Sequence, residues 1–443
     1  MNLADTKKTF SPRKYLPFLD WLANYRREDL SGDLLAGIIV AVMLVPQGMA
    51  YAMLAGLPPQ IGLYAGIVPI LLYGLLGTSR TLAVGPVALT SLLVAAAVGQ
   101  FAPQESSLYL LLALTVAFLV GLIQVGMGLL RLGSLVNFIS HPVLSGFTSA
   151  AAILIAFSQI EPLLGISFPN SENIFENLAL SMQYLPATNP ATLIIGLVGI
   201  AILVYFKLGL SKHLESLGVP AGWREPIARS GPLVVVALGT IAVWAFGLYE
   251  TAGVDVVGEI PAGLPPLTRP AFDLARWQEL LPVVLTIGVV AFLESISVAK
   301  SLAGRRREKV NANQELIALG FANLGAAFTG GYPVAGGFSR SVVNFTVGAR
   351  TGLASIVTAL LVALTLIFLT PLFYYLPKAV LAAIIVVAVA NLIDRKAFRY
   401  TWRYNKSDAF SLGSTFFAVL VMGIETGILV LSLIHISEPT RPY

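Results

Sequence analysis

Long apolar stretches separated by short polar ones dominate this chain. A helix needs about 20 mostly apolar residues to cross the hydrocarbon of a bilayer. By that measure, runs occur at about 34–55, 60–77, 107–130, 136–160, 191–206, 230–248, 281–299, 313–329, 351–371, 377–393 and 408–423. Two shorter, interrupted segments lie at about 83–101 and 332–349, and a partial one begins near Thr426. The pattern predicts an all-α polytopic membrane protein with about fourteen spans.

The distribution of charge tests that count, because loops on the cytoplasmic side of a membrane are rich in Lys and Arg. The segment 1–30 carries Lys7, Lys8, Arg13, Lys14, Arg26 and Arg27, and is expected to be cytoplasmic. Alternate crossing then brings Arg80, Arg131, Lys207, Lys212, Arg224 and Arg229 to the same side. Lys300, Arg305, Arg306, Arg307, Lys309 and Arg350 follow, then Arg395, Lys396, Arg399, Arg403 and Lys406. The loop at 161–190, with Glu161, Glu172 and Glu176 and no Lys or Arg, falls outside. So does the loop at 249–280, where acids balance Arg269 and Arg276. The alternation closes only if both interrupted segments cross. The expected location is the cell membrane, multi-pass, with the N-terminus inside.

Composition narrows the function classes. Of the 443 residues 56% are hydrophobic and 12% charged, against about 25% charged in soluble domains, so a water-soluble chain is excluded. The absence of cysteine removes disulfides, thiolate catalysis and Cys-based metal sites. His141, His213 and His435 are scattered, so no metal or cofactor is expected. The polar, basic start MNLADTKKTFSPRKYLPFLDW has no signal-peptide pattern. There is no Walker A motif, no GxSxG and no triad, and nothing points to nucleic acid; neither a primary pump nor another enzyme is expected.

The third and tenth predicted spans stand apart. They read GTSRTLAVGPVALTSLLV and AAFTGGYPVAGGFSRSVVNF. Each predicts a short extended stretch, a Gly/Pro break, then a half-length helix starting near Val87 or Phe338. Pro86 lacks an N–H, and Gly85, Gly336 and Gly337 permit backbone shapes other residues avoid. Non-helical backbone at membrane depth is tolerated only inside protein or beside a water-filled cavity. Broken segments in corresponding positions of two halves point to a transporter's binding site. Three and ten differ by seven, and an odd number of spans per half inverts the second half. The expectation is therefore a 7+7 inverted repeat, with two half-helix N-termini facing each other near the midplane. Each acts like about half a positive charge with free N–H donors, which suits an anion. The competing explanation is close helix packing through small residues.

Several polar residues sit where they could serve such a site. Arg340 lies in the first turn of the tenth-span helix; a charge inside a span costs about 2.5–3.5 kcal/mol and usually faces a cavity and a partner. It either adds a full positive charge to an anion site or snorkels to the surface. Ser339 and Ser341 flank it, to touch a substrate or to cap the helix. Glu294 is the one acid deep in the eighth span, either a protonation site linked to transport or a structural partner for Arg340 or for a buried hydroxyl. An ionised Glu about 6 Å from a dianion would repel it by about 5 kcal/mol at an effective dielectric of 20, so dianion entry favours the protonated acid and hence proton symport. Gln47 and Tyr51 are four apart and share a helix face, for a midplane site or for bonds between helices. The basic run at 305–309 is explained by orientation, and His141 needs no special role.

These motifs resemble one family. VPQGMAYAMLAGLPPQIGLYA, GTSRTLAVGPVALTSLL, SHPVLSGF, FLESISVAKSLA, NANQELIALGFANLGAAFTGGYPVAGGFSRS and LLVALTLIFLTPLFYYLPKAVLAAII together resemble the SulP sulfate permeases and anion exchangers over about residues 14–430. The resemblance implies the seven-plus-seven fold in a transport domain at 31–430. Within it, a core domain (about 31–133 and 281–375) and a gate domain (about 134–250 and 376–430) would move as an elevator. It implies proton coupling at Glu294, and anion contact at Gln47, Tyr51, Ser339 and Arg340, with Val87 and Ala88 lining the same pocket. A homodimer is a family tendency.

Two departures from the family are expected to matter. Members complete a fourteenth span and then carry a cytoplasmic STAS domain, which is absent here. The ending LSLIHISEPTRPY is polar and basic and does not continue a membrane helix; residues 431–443 are expected to reflect truncation or a sequence artefact. The function expected is secondary active transport of a small inorganic anion, sulfate first, by proton symport. Alternatives are bicarbonate or dicarboxylate transport coupled to sodium or protons, and an uncoupled exchanger or channel. A nucleobase carrier of the related fold would have an acid where this chain has Arg340.

Overall fold

Every apolar run in the described part of the chain is helical. The computed structural model describes residues 16–104, 106–134, 141–168, 174–404, 406 and 408–421. The first span is Arg27–Leu54 and the second bends between Pro59–Tyr64 and Val68–Leu76. The fourth to seventh are Ser107–Leu129, His141–Ser158, Pro190–Leu208 and Gly231–Ala245. The eighth and ninth are Leu274–Arg306 and Ala312–Phe328. The eleventh, twelfth and thirteenth are Leu353–Phe368, Lys378–Val389 and Asp408–Val421. The expected fourteenth span and the anomalous tail lie outside the described residues.

Several starts are set by local chemistry. Ser106, Asn189, Asp273 and Asn311 each accept a bond from a first-turn N–H of the helix that follows, relieving donors with no partner inside the helix. Pro190 opens the sixth span, where a missing N–H costs nothing.

Six of the described helices are long and apolar enough to cross a membrane unaided. The third and tenth spans are not. They combine a two-residue strand, β1 (Val84–Gly85) or β2 (Ala335–Gly336), with a half-length helix, Ala88–Gly99 or Phe338–Val347. The half-helices begin within a residue of where the Gly/Pro breaks predicted. The strands pair with each other, antiparallel, Val84 opposite Gly336 and Gly85 opposite Ala335. That pairing satisfies backbone groups that could find no water at this depth.

Contacts between span ends obey the alternation read from the charges. On one face Thr78, after the second span, bonds Glu315 at the start of the ninth. Asp33, early in the first span, holds Arg350 and Thr351 between the tenth and eleventh. Arg306, ending the eighth, bonds the Phe345 and Ala349 carbonyls at the end of the tenth. Lys207, ending the sixth, reaches Val387 near the end of the twelfth. On the other face, Asn189 before the sixth span bonds Ala252 and Gly253 after the seventh. There Val257 also meets Leu376 before the twelfth, and Thr268 meets Phe328 at the end of the ninth. Among the described residues these two sets of ends do not mix, which fits the short third and tenth spans crossing.

Small residues let the backbones meet. A Cβ on Gly62 would overlap the Gly48 carbonyl, and one on Gly320 would lie 2.8 Å from the Gly121 oxygen. These contacts seat the second span on the first and the ninth on the fourth, the close approach typical of helices in lipid.

Candidate functional site

The crossing of β1 and β2 brings two helix starts into one place. Val87 and Gly337 precede the half-helices in extended conformation, and neither helix has a side-chain cap. Their first-turn N–H groups therefore remain available for a bound anion. Further bonds lock the crossing. Gly337 N donates to the Ala83 carbonyl at 2.9 Å, and Ser341 Oγ accepts from Ala83 N at 2.9 Å while donating to Gly337. Gly336 N donates to Ser295 Oγ, on the eighth span, at 2.7 Å. Ser341 is thus committed to holding the two broken spans together.

Arg340 lies at the centre, 2% exposed. Its guanidinium donates to Gln47 Oε1 at 3.2 Å and to the Pro86 carbonyl at 2.9 Å, so one side chain joins the first, third and tenth spans. Its Nε finds no partner among the described residues. The guanidinium folds back over Gly337, where a Cβ would come within 2.8 Å of a terminal nitrogen. Arg340 is thus buried within the protein rather than extended to its surface.

Glu294 is half-buried, one residue before Ser295. Its Oε2 has no hydrogen-bond partner among the described residues, and it forms no ion pair with Arg340 within 4 Å there. Tyr51 is buried, 6% exposed, and lines the same space as Arg340 and Glu294. Glu294 and Arg340 are therefore not joined as an ion pair: the acid keeps a buried, unpartnered oxygen while the residue lines the open space beside Arg340.

That space is a cavity of about 200 Å³. Gln47, Tyr51, Val87, Ala88, Glu294, Ser339 and Arg340, all singled out in the sequence, line it, whereas Ser341 does not. They form one wall. The opposite wall is made by Leu203, Phe206 and Lys207 of the sixth span, Arg229 before the seventh, and Ile384 and Asn391 on and after the twelfth. Sequence reasoning assigned these residues no role. Leu203, Phe206 and Ile384 are ordinary helix positions, and Lys207 and Arg229 read as orientation charges. Ser295 and Tyr332 were also missed; Tyr332 is buried with its hydroxyl 2.8 Å from Ser91 Oγ. A buried tyrosine directly before Pro333 in the tenth break was the available signal. The basic run contributes as well, since Arg306 places its charge on the C-terminal carbonyls of the tenth-span half-helix, where a cation is favoured.

Comparisons with known proteins agree with this geometry. The profile of the sulfate permease family matches residues 30–415. The chain is 42% identical over 423 residues to sulfate transporter 4.1, chloroplastic, of Arabidopsis thaliana, covering 94% of this chain and 59% of that protein. It is 37% identical to a sodium-independent sulfate anion transporter of Bos taurus, covering 98% of this chain and 74% of the relative. This chain thus spans about three fifths of the plant protein's length. Among solved structures, the murine Slc26a9 anion transporter in its inward-facing state superposes with a TM-score of 0.88 at 26% identity, covering 98% of this chain and 73% of that one.

Proposed function

The chain belongs to the sulfate permease family, and from that premise we propose that it is a secondary active transporter of small inorganic anions, sulfate foremost. The observation that carries this reading is the buried Arg340, set beside two uncapped helix N-termini on one cavity wall. A guanidinium and two helix ends sum to about +2, a match for a dianion. The printed names of the plant and bovine relatives support the choice of sulfate.

Proton symport is the proposed coupling. Glu294 lines the same cavity with an unpartnered oxygen. An ionised carboxylate there opposes a dianion; a protonated one does not, and its hydroxyl becomes a donor. Proton and anion would therefore enter together. The bovine relative's name, sodium-independent, supports a proton over sodium.

The proposed movement is of a core body (about 31–133 and 281–375) against a gate body (about 134–250 and 376–430). Supporting it, the cavity has Gln47, Ala88, Glu294 and Arg340 on one side and Leu203, Arg229 and Ile384 on the other. The anion contacts lie on the core, so sliding the core along the gate would carry the site across. The cavity extends to Lys207 and Arg229 at basic span ends. With those ends cytoplasmic by the positive-inside rule, this conformation is inward-facing and the N-terminus is inside.

Uptake of radiolabelled sulfate, bicarbonate and fumarate into proteoliposomes at two external pH values tests the proposal. Concentrative sulfate uptake that rises on the acid side is expected. Uptake that only dissipates a gradient at either pH would instead mark an uncoupled exchanger or channel, and preference for bicarbonate or fumarate would change the substrate.

A further inference from the structure

The connection between the twelfth and thirteenth spans holds a feature that lies outside the cavity lining. Arg395–Tyr404 is a separate helix, RKAFRYTWRY. Asp394 caps it, accepting from Lys396 N at 3.1 Å and Ala397 N at 2.9 Å. One face is docked on the protein: Thr401 is buried, and the Phe398 ring meets Phe416 edge-on at 5.3 Å. Asp394 N also bonds Ser149 Oγ in the fifth span.

The outward face has a different character. Arg395, Lys396, Arg399 and Arg403 are exposed along it, with Lys406 continuing the line. Residues 395, 399 and 403 repeat every four positions and so form one stripe. No acid lies on the helix. Tyr400 is 65% exposed and Trp402 80% exposed, one on either side of the stripe. Phe410, 78% exposed, follows at the start of the thirteenth span.

We propose that this helix lies in the headgroup layer of the membrane and binds anionic phospholipid. Basic side chains flanked by aromatic rings match that layer, where Lys and Arg meet lipid phosphates and Trp and Tyr rings sit half in apolar surroundings. Trp402 decides the occupant. A purely acidic protein partner would satisfy the cations and leave a nearly bare indole in water, whereas a lipid surface accommodates both. Position agrees: the bond from Lys207 to the Val387 carbonyl joins the basic end of the sixth span to the last turn of the twelfth, which leads into this helix. The inference requires only that the chain spans a membrane, and holds whichever anion is carried.

The probe is phosphatidylglycerol brominated on its acyl chains, compared with brominated phosphatidylcholine at the same total content of each lipid. The full chain is reconstituted and the Trp402 contribution to fluorescence is taken as the difference from Trp402→Phe. Preferential quenching by the brominated phosphatidylglycerol is expected, since each cation near an anionic leaflet favours it roughly fivefold. The triple variant Arg395→Gln, Lys396→Gln, Arg399→Gln should bring the two lipids to parity with an unchanged thermal midpoint, as should high salt. Equal quenching in the parent protein would overturn the proposal. So would a Trp402 signal quenched by acrylamide but by neither lipid, the result expected if this face docks a soluble acidic protein.

Discussion

Arg340 and Gln47, 293 positions apart in the chain, share a 3.2 Å hydrogen bond from guanidinium to side-chain carbonyl. The bond orients a buried cation toward the cavity and leaves it unneutralised, because its partners, the amide of Gln47 and the Pro86 carbonyl, carry no charge. A carboxylate in place of Gln47 would satisfy the arginine and cancel the charge that an anion needs.

Replacing the arginine is therefore expected to be severe. Arg340→Ala should abolish saturable sulfate uptake, and Arg340→Lys should restore little, since an ammonium cannot reproduce the planar fork that reaches both Gln47 and Pro86. Gln47→Ala should raise the half-saturation concentration by roughly tenfold, the effect of losing one bond to a charged group. Isothermal binding and uptake titrations read both. Normal uptake by Arg340→Ala would remove the site from this cavity.

Glu294→Gln should separate transport from pH. The parent protein is expected to take up sulfate faster as external pH falls, because protonation removes a negative charge beside the dianion's position. Gln mimics the protonated acid at every pH, so its exchange rate should be high and flat while accumulation against a gradient disappears. Counterflow measured across a pH series distinguishes this from simple loss of folding. A variant that keeps the parent's slope would assign coupling elsewhere.

Gly337→Ala probes the placement of the guanidinium. The added methyl would come within 2.8 Å of a terminal nitrogen of Arg340, the flexible end of a side chain that can move aside. The protein should fold with a thermal midpoint close to the parent's, yet bind sulfate more weakly by roughly tenfold through loss of one or both guanidinium bonds. A large loss of stability, with unchanged affinity in the remaining folded protein, would contradict this.

Glu315→Ala should act on stability. The carboxylate is 1% exposed. It accepts from Tyr73 Oη at 2.6 Å, from Thr78 N and Oγ1 at 2.7 and 2.6 Å, and from Ser79 N at 3.0 Å. Removing it strands the buried Tyr73 hydroxyl, at about 1–3 kcal/mol, and releases the part-buried donors of Thr78 and Ser79. A marked fall in the midpoint of thermal unfolding in detergent is expected, with Glu315→Gln intermediate. Because this network holds the turn before β1, the variant should also weaken sulfate binding in whatever fraction folds.

Much of one cavity wall was legible in the chain. Arg340 and Glu294 were conspicuous because ionisable groups in apolar runs are costly and rarely idle. Gly85, Pro86, Gly336 and Gly337 were conspicuous because they interrupt helices that had every other reason to continue. Val87 and Ala88 came from family likeness as pocket lining, while Ser339, Gln47 and Tyr51 were read from their positions and owed much of their weight to it. The opposite wall was not legible. Leu203, Phe206 and Ile384 look like any other membrane-facing apolar residue, and Lys207 and Arg229 had a sufficient explanation in orientation alone. Arg306 was absorbed into the same explanation, although its guanidinium caps the tenth-span half-helix.

The linear chain by itself determined where the membrane is crossed, which side each loop shares with the others, and where two helices must break, since all three follow from local hydrophobic length, local charge and missing backbone donors. Only the tertiary structure decided that β1 pairs with β2, that Gln47 is the residue Arg340 grips, and that the sixth and twelfth spans close the far side of the cavity. Those are meetings between segments hundreds of residues apart, set by how helix surfaces fit together in three dimensions, and no periodicity along the chain encodes them.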